Sequence, residues 1–380
     1  MLKIAIVGCG KIADAHASQI SRIEGCEIVG ACDKEELMAR QFAERFGVKG
    51  CFSEVSAMIS AARPDVVHIT TPPQSHLEIA RLCLERDCHV YVEKPFTLDI
   101  GEAEILIRLA EHRNLKVTVG HDQQFNPATR RMRNLIQSGY LGGRPVHIES
   151  TWCYDLGDES HARILFGDRQ HWIRKLPGRL LHNLISHGIA KIAEFLTTDS
   201  PSVVAVGRSS ALIQGLGDQD IIDELRVIIT EEAGTTAYFT FSSQMRPALQ
   251  QLCVYGPKNG LVLDEDHQTL IRMPGKRYKS YVEKFVPALM TAKECVRNSL
   301  QNAQLFLARD FHMDSGKKYL MEGFYESIIK NTAPPIPYKQ ILITSRIMDS
   351  IFEQVIPRQS VRGAGPLSAQ PVSERNPSPC

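Results

Sequence analysis

The sequence predicts two α/β units in one chain: a doubly wound parallel sheet at the N-terminus, then an α+β domain on an open, mainly antiparallel sheet. Three observations predict it. Over the first 120 residues short β-branched runs alternate with amphipathic helical segments. A glycine turn, "GCGKIA", joins the first run to the first helical pattern. After residue 143 strand-like runs follow one another, interrupted by a single long helical segment.

The runs "KIAIVG" (3–8), "EIVGACD" (27–33), "DVVHITTP" (65–72), "HVYVEK" (89–94) and "LKVTVG" (115–120) read as strands. Segments 35–47, 74–87 and 100–113 read as helices. Leu37, Phe42 and Phe46 recur at helical spacing, Gly47 suits a helix stop, and Ser75 suits an N-cap. Such alternation implies a parallel sheet covered on both faces, with right-handed crossovers. Beyond it, strands are expected at 144–154, 201–209, 225–232, 234–243 and 249–256, with turns at "EEAG" and "GPKNG". One helix is expected over 180–196, helical pattern over 277–332, and an amphipathic helix over 338–355. The division is therefore 1–122, a dinucleotide-binding domain; 123–356, a substrate and oligomerisation domain; and 357–380, a disordered tail rich in proline and serine.

Composition narrows the function. The 44 basic and 43 acidic residues nearly cancel, which gives no field for nucleic acid or a membrane surface. No apolar run approaches the roughly 20 residues of a membrane span, and "MLKIAIVG" enters a strand directly, unlike a signal peptide. Ten cysteines lie scattered, without a C-x-x-C pair or zinc spacing. Free thiols in a reducing cytoplasm, with no metal, are the expectation.

"GCGKIA" is G-x-G-x-x-A in the required context, strand before and helix after. Gly8 permits the tight turn, Gly10 lets the backbone approach a pyrophosphate, and Ala13 lets helix pack closely on sheet. The second strand ends in Asp33, placed to bind ribose hydroxyls; its charge repels a 2′-phosphate. NAD is favoured over NADP, although the neighbouring Lys34 leaves that choice open. This is the Rossmann arrangement. The third and fourth of the predicted strands end in "TTPPQSH" and "EKP", at the edge where ligands bind in such sheets. There Glu93 and Lys94 form either an ordinary surface pair or part of a site.

"GCGKIADAH", "TTPPQSHLEIA", "YVEKPF" and "VGHDQQFNP", with a later helix carrying His187, resemble the glucose–fructose oxidoreductase, inositol dehydrogenase and MocA (Gfo/Idh/MocA) family. The resemblance covers nearly the whole chain. It implies pyridine-nucleotide-linked oxidation or reduction of a sugar or cyclitol, and a last helix packed back on the first domain. It makes Lys94 the proton donor and acceptor beside nicotinamide and substrate, with Gly8, Gly10, Lys11, Ile12 and Asp33 holding the cofactor. Thr71, Pro72 and Glu93 resemble the family's nicotinamide-side contacts, and His76 is a further cofactor-binding residue. Hydride leaves a carbinol carbon only as its hydroxyl loses a proton, so a base must reach that oxygen. A lysine shielded from water has the depressed pKa that suits it. Pro95 holds Lys94 extended.

His187 is expected to share proton work, against the alternative of a buried, satisfied helix histidine. Asn183, four residues earlier on the same face, stands where the family usually has Asp, and Ala190 where it often has an acid. Asn183 can position but cannot take a proton. Gln124 stands where many relatives have Arg, and is expected to position substrate without a bidentate clamp.

Two segments stay open. The connection 155–178 carries Arg163, Arg169, His171, Trp172, Arg174 and Lys175, and reads either as a lid over an anionic sugar or as a solvated face. The stretch 277–311 shows no long apolar face free of charge; it suits helices packed on their own domain or on a partner subunit, with a membrane surface as the alternative. Two rival functions remain: a redox-neutral epimerase, dehydratase or glycosidase recycling bound NAD, and a catalytically silent NAD-binding sensor or partner subunit. The expected partners are a small carbohydrate-type substrate and a second copy pairing through the open sheet, with no nucleic acid and no integral membrane segment.

Overall fold

Ile4, Ala5, Ile6 and Val7 are all buried, because β1 (Leu2–Val7) lies inside a parallel sheet with helices on both faces. The structure, a computed structural model, describes residues 1–155, 171–215, 221–279, 281–311 and 315–356. After β1 come α1 (Lys11–Ile20), β2 (Cys26–Cys32), α2 (Glu36–Phe46), β3 (Cys51–Phe52) and α3 (Val55–Ala62). β4 (Val66–Ile69), α4 (His76–Glu85), β5 (His89–Val92), α5 (Ile100–His112) and β6 (Val117–Val119) complete the unit. The strand order is β3-β2-β1-β4-β5-β6, all parallel. The order reverses between β1 and β4, which opens a crevice at the carboxyl edge.

Gly47 ends α2 in the left-handed region, φ 67°, as its position predicts. Ser75 precedes α4, but its hydroxyl donates to Thr71 Oγ1 and Pro72 O instead of capping the helix. Asp99, unremarked in the sequence, caps α5 by accepting the Glu102 N–H at 2.9 Å.

The second unit starts with α6 (Pro127–Gln137) and β7 (His147–Cys153). The segment predicted as one helix over 180–196 is two, α7 (Arg179–Leu184) and α8 (Ser186–Ala193), with a bend at Ile185. Then follow β8 (Ser202–Arg208), the short α9 (Ala211–Gly215), β9 (Glu224–Thr230), β10 (Thr236–Ser242), β11 (Gln250–Tyr255), β12 (Asn259–Asp264) and β13 (Thr269–Pro274). They form one sheet in the order β13-β12-β11-β7-β10-β9-β8, antiparallel except for β7 beside β10. One face carries α8. On the other, Val204, Val206, Ile228 and Tyr238 are exposed.

Three helices close the described chain: α10 (Val282–Leu307), α11 (Ser315–Ile329) and α12 (Tyr338–Val355). α11, placed by sequence with the second unit, buries Leu320, Met321, Phe324 and Tyr325 in the first unit's core. α12 joins both units, as the resemblance implies. Its Asp349 accepts the Ile100 N–H at 2.8 Å, while Ile347, Ile351 and Phe352 fill the second core. α10 corrects the sequence reading of 277–311. Its outer side is apolar along its length, with Val282, Phe285, Leu289, Val296 and Leu300 all exposed. The tail 357–380, with Arg163 and Arg169 of the long connection, lies outside the described residues.

Candidate active site

The turn after β1 is built for close approach. Gly8 has φ 93°, and a Cβ there would lie 2.7 Å from Thr71 Cγ2 and 2.8 Å from Thr71 N. A Cβ on Gly10 would meet no protein atom within 4 Å. Nothing inside the protein demands that Gly10 be small, and the space over it is open to a ligand's close approach. α1 starts next door with no side-chain cap, leaving N-terminal N–H groups to an anion. Lys11 and Ile12 are exposed at that helix start, while Ala13 is buried against the sheet. Asp33 Oδ2 accepts the Cys9 N–H at 2.7 Å and Oδ1 the Glu35 N–H at 2.9 Å. Each oxygen keeps a lone pair, which suits two vicinal ribose hydroxyls. These groups fit a dinucleotide.

β5 ends in the buried Glu93 and the half-buried Lys94. They are no surface pair. The Lys94 Nζ donates to Asn183 O at 3.0 Å and Asn183 Oδ1 at 3.3 Å, across the gap between the units. Burial holds its pKa below the usual lysine value, against the opposing pull of Glu93 and Asp122.

The Glu93 carboxylate turns inward instead of toward a nicotinamide. Oε1 accepts from His16 Nε2 at 2.7 Å and from Lys317 Nζ at 3.1 Å, and Oε2 accepts the Lys94 N–H at 3.0 Å. Lys317 reaches Asp122 Oδ2 as well, at 2.9 Å. Burial would raise the Glu93 pKa, but Lys317 and the His16 bond hold it well below the carboxylate range. Donor counting then sets every tautomer. His16 gives its Nε2 proton to Glu93, so its Nδ1 accepts from His68 Nδ1 at 2.8 Å, and His68 Nε2 accepts the Tyr325 hydroxyl at 2.8 Å. The chain of donors points one way, toward the anion behind Lys94.

Asn183 and His187 are half-buried on α7 and α8, among fully buried neighbours. The bend at Ile185 leaves both toward Lys94's side of the cleft. His187 lies 5.7 Å from the His121 ring and 5.8 Å from the Trp152 ring, centroid to centroid. His187 Nδ1 and His121 Nε2 are shielded from water and have no hydrogen-bond partner among the described residues. Buried polar atoms are rarely left so, and a ligand hydroxyl is one partner that could satisfy them. Burial, then the Lys94 charge, pushes the His121 pKa down to about 3 and that of His187 well below its usual value, so both are neutral. One turn on, Lys191 is buried in an ion pair with Glu265, 4.3 Å over the Trp152 ring.

Other expected residues stand elsewhere. His76 is buried with Nε2 2.9 Å from Thr71 O and Nδ1 3.1 Å from Pro95 O, a clamp between two strand ends with no open edge to a cofactor. Thr71 is half-buried beside Gly8, and Pro72 is exposed at the rim. Gln124 is corrected: it is buried, and its Nε2 donates to Ala190 O at 3.2 Å and Glu194 Oε2 at 3.0 Å. It ties α8 to the loop after β6, so its amide N–H groups are spent inside the protein. The connection returns at Trp172, whose carbonyl accepts Gln74 Nε2 at 3.1 Å, beside the "TTPPQSH" strand end.

Sequence reasoning missed His121, although its place after β6 put it on the ligand-binding edge. It also missed Lys317, which no local signal ties to Glu93. No helix of the described residues is long and apolar enough to cross a membrane.

Residues 2–121 match the family model described as the Gfo/Idh/MocA oxidoreductase family, NAD-binding Rossmann fold. Residues 129–262 match the same family's C-terminal domain. Over 142 residues, 37% of this chain and 40% of that protein, it is 31% identical to the D-glucoside 3-dehydrogenase of Escherichia coli. Over 149 residues, 39% of this chain and 44% of that one, it is 30% identical to the UDP-N-acetylglucosamine 3-dehydrogenase of Acidithiobacillus ferrooxidans. The matched stretch thus spans less than half of these curated relatives. The scyllo-inositol dehydrogenase of Lactobacillus casei, solved with NAD(H) and scyllo-inositol, shares the fold at a TM-score of 0.68 and 20% identity, covering 93% of this chain and 97% of that one.

Proposed function

Because the chain belongs to the Gfo/Idh/MocA oxidoreductase family, we propose that it is an NAD-dependent dehydrogenase of a sugar, cyclitol or nucleotide-linked sugar. The reacting group is a secondary hydroxyl or its ketone. The compounds these relatives are named for, a glucoside, a UDP-sugar and an inositol, share such a group and support this class. Asp33 favours NAD over NADP by repelling a 2′-phosphate.

The observation that carries the reading is the Lys94 amine. It is half-buried, held by the two oxygens of Asn183, and lies on the same sheet edge as the Gly8 turn. A nicotinamide nucleotide in that turn supplies the hydride donor or acceptor. Lys94 takes the proton of the substrate hydroxyl in oxidation and returns it in reduction. Its depressed pKa makes free amine available nearer neutral pH. Asn183 aims the amine and takes no proton. His121 and His187, neutral and each with a nitrogen that has no partner among the described residues, bind further substrate hydroxyls and orient the ring against the base.

Replacing Lys94 with Ala is expected to lower kcat by about 10²–10⁴, while the NAD dissociation constant changes by less than about threefold. A sugar and cyclitol panel monitored at 340 nm for NADH measures the first, and calorimetry the second. Near-normal turnover by the variant refutes the assignment.

A further inference from the structure

α10 carries more exposed large apolar side chains than any other element of the described chain. The helix touches its own domain along one narrow line: Asn298 Oδ1 accepts the Leu270 N–H at 3.0 Å, Glu294 pairs with Arg272, and Asn302 donates to His267 O at 3.0 Å. Glu294 and Asn298 are its buried residues. Val296 and Leu300 follow each by two residues, hence about 200° around the helix, on the opposite side. From Tyr281 to Lys293 every residue is exposed except the half-buried Val286. More than three turns thus have no packed face, and helices of that length are marginal in water alone.

The outward stripe has a seven-residue repeat, with Val282, Leu289, Val296 and Ala303 in one row and Phe285, Ala292, Ser299 and Phe306 in the other. None of the eight is charged. Tyr281, Phe285, Leu289, Phe306 and Leu307 are 66–81% exposed, and Val296 and Leu300 61%. At roughly 100–200 Å² for each such side chain, the stripe exposes on the order of 800 Å². That exceeds the roughly 300–600 Å² of the largest patch on ordinary monomers and equals about what one partner buries in a specific interface.

We propose that this stripe is the contact with α10 of a second copy of the chain, the two helices running antiparallel about a two-fold axis at Glu294. About that axis Val282 meets Phe306, Phe285 meets Ala303, Leu289 meets Ser299, and Ala292 meets Val296. Three of the four layers set a larger side chain against a smaller one, as packed helix pairs require and a fluid lipid surface does not select. The contact is isologous, so it closes at two copies. Glu294 is on the far side of the helix, paired with Arg272, so no carboxylate enters the seam. Lys293 is at the rim, where long stems part into water. Cys295, exposed and free, stands one residue from the axis and faces its own copy.

The test uses the full chain. Light scattering after gel filtration compares the native protein with the double variant Leu289→Asp, Val296→Asp. The expected result is a halving of assembly mass, with unchanged far-ultraviolet circular dichroism. A short bis-maleimide is expected to join the native chain into pairs through Cys295, and Cys295→Ser to abolish the product. Because cross-linking needs no altered seam, it decides the matter if the double variant misfolds. Unchanged mass with no Cys295 product overturns the proposal. So does sedimentation with vesicles of 30% phosphatidylglycerol in phosphatidylcholine that the double variant loses while its mass stays constant; this result assigns the stripe to a lipid surface.

Discussion

Asn183 stands where the family resemblance implies a carboxylate, and replacing it with Asp tests what Lys94 does. The new carboxylate would sit about where Asn183 Oδ1 now lies, 3.3 Å from the Lys94 amine. At an effective dielectric constant of about 20, a pair at that distance attracts by ~5 kcal/mol. That equals ~3–4 pKa units. Desolvation of the added carboxylate removes part of it, so a rise of about 1–3 units is expected. The sign is definite, since an adjacent anion favours the ammonium form. Free amine then appears only at higher pH, and the acidic limb of kcat/KM for oxidation moves up by the same amount. At pH values below both limbs the variant is slower by about 10–1,000-fold. The limb of kcat/KM reports the free enzyme. A titration of the Lys94 ¹³Cε resonance, assigned with Lys94→Arg, follows the same pKa without substrate. A resonance and a limb that both stay in place refute the claim that Lys94 is the base. A limb that moves down instead shows the new Asp acting as the base itself.

Three further outcomes follow from the same geometry. Lys317→Met leaves the buried Glu93 and the half-buried Asp122 without their shared cation, and should cost about 3–5 kcal/mol in urea unfolding; a loss under 1 kcal/mol contradicts the network. Stability should fall as pH drops from about 6.5 toward 4. His182 shows the sign: burial lowers its pKa to about 4, so in that window the unfolded chain binds the proton and the folded one does not. His182→Asn should flatten the acid limb of the urea midpoints by up to about 3 kcal/mol, and an unchanged limb argues that other histidines dominate. Asp33→Ala should weaken NAD binding and shift preference toward NADP, read by titrating both nucleotides; equal weakening of the two ends the ribose assignment.

Much of the cofactor half was legible because its signals are local. Gly8, Gly10 and Asp33 each answer a backbone or charge requirement within one strand–turn–helix unit, so spacing alone locates them. "TTPPQSH" and "EKP" were placed by counting strands to the sheet edge. The seven-stranded sheet was readable as strands but not in full. No local signal marks β12 and β13 or the parallel placement of β7 beside β10, because partner choice depends on residues far away in sequence. The reading of 180–196 as one helix followed the apolar period, which continues unbroken through the bend at Ile185.

The sequence by itself determined the fold class, the dinucleotide turn, and Lys94 as the residue at the end of its strand. Periodicity, turn chemistry and strand-end charge are short-range properties, and they act before the chain is compact. Only the tertiary structure decided what surrounds that lysine. Glu93 lies 224 residues from Lys317, yet their contact turns the carboxylate inward and leaves Lys94 to Asn183, 89 residues ahead. It decided likewise that Gln124 is enclosed, that His121 faces His187, and that the apolar side of α10 points outward. Buried charges need partners wherever the chain can bring them, and burial is a property of the packed whole.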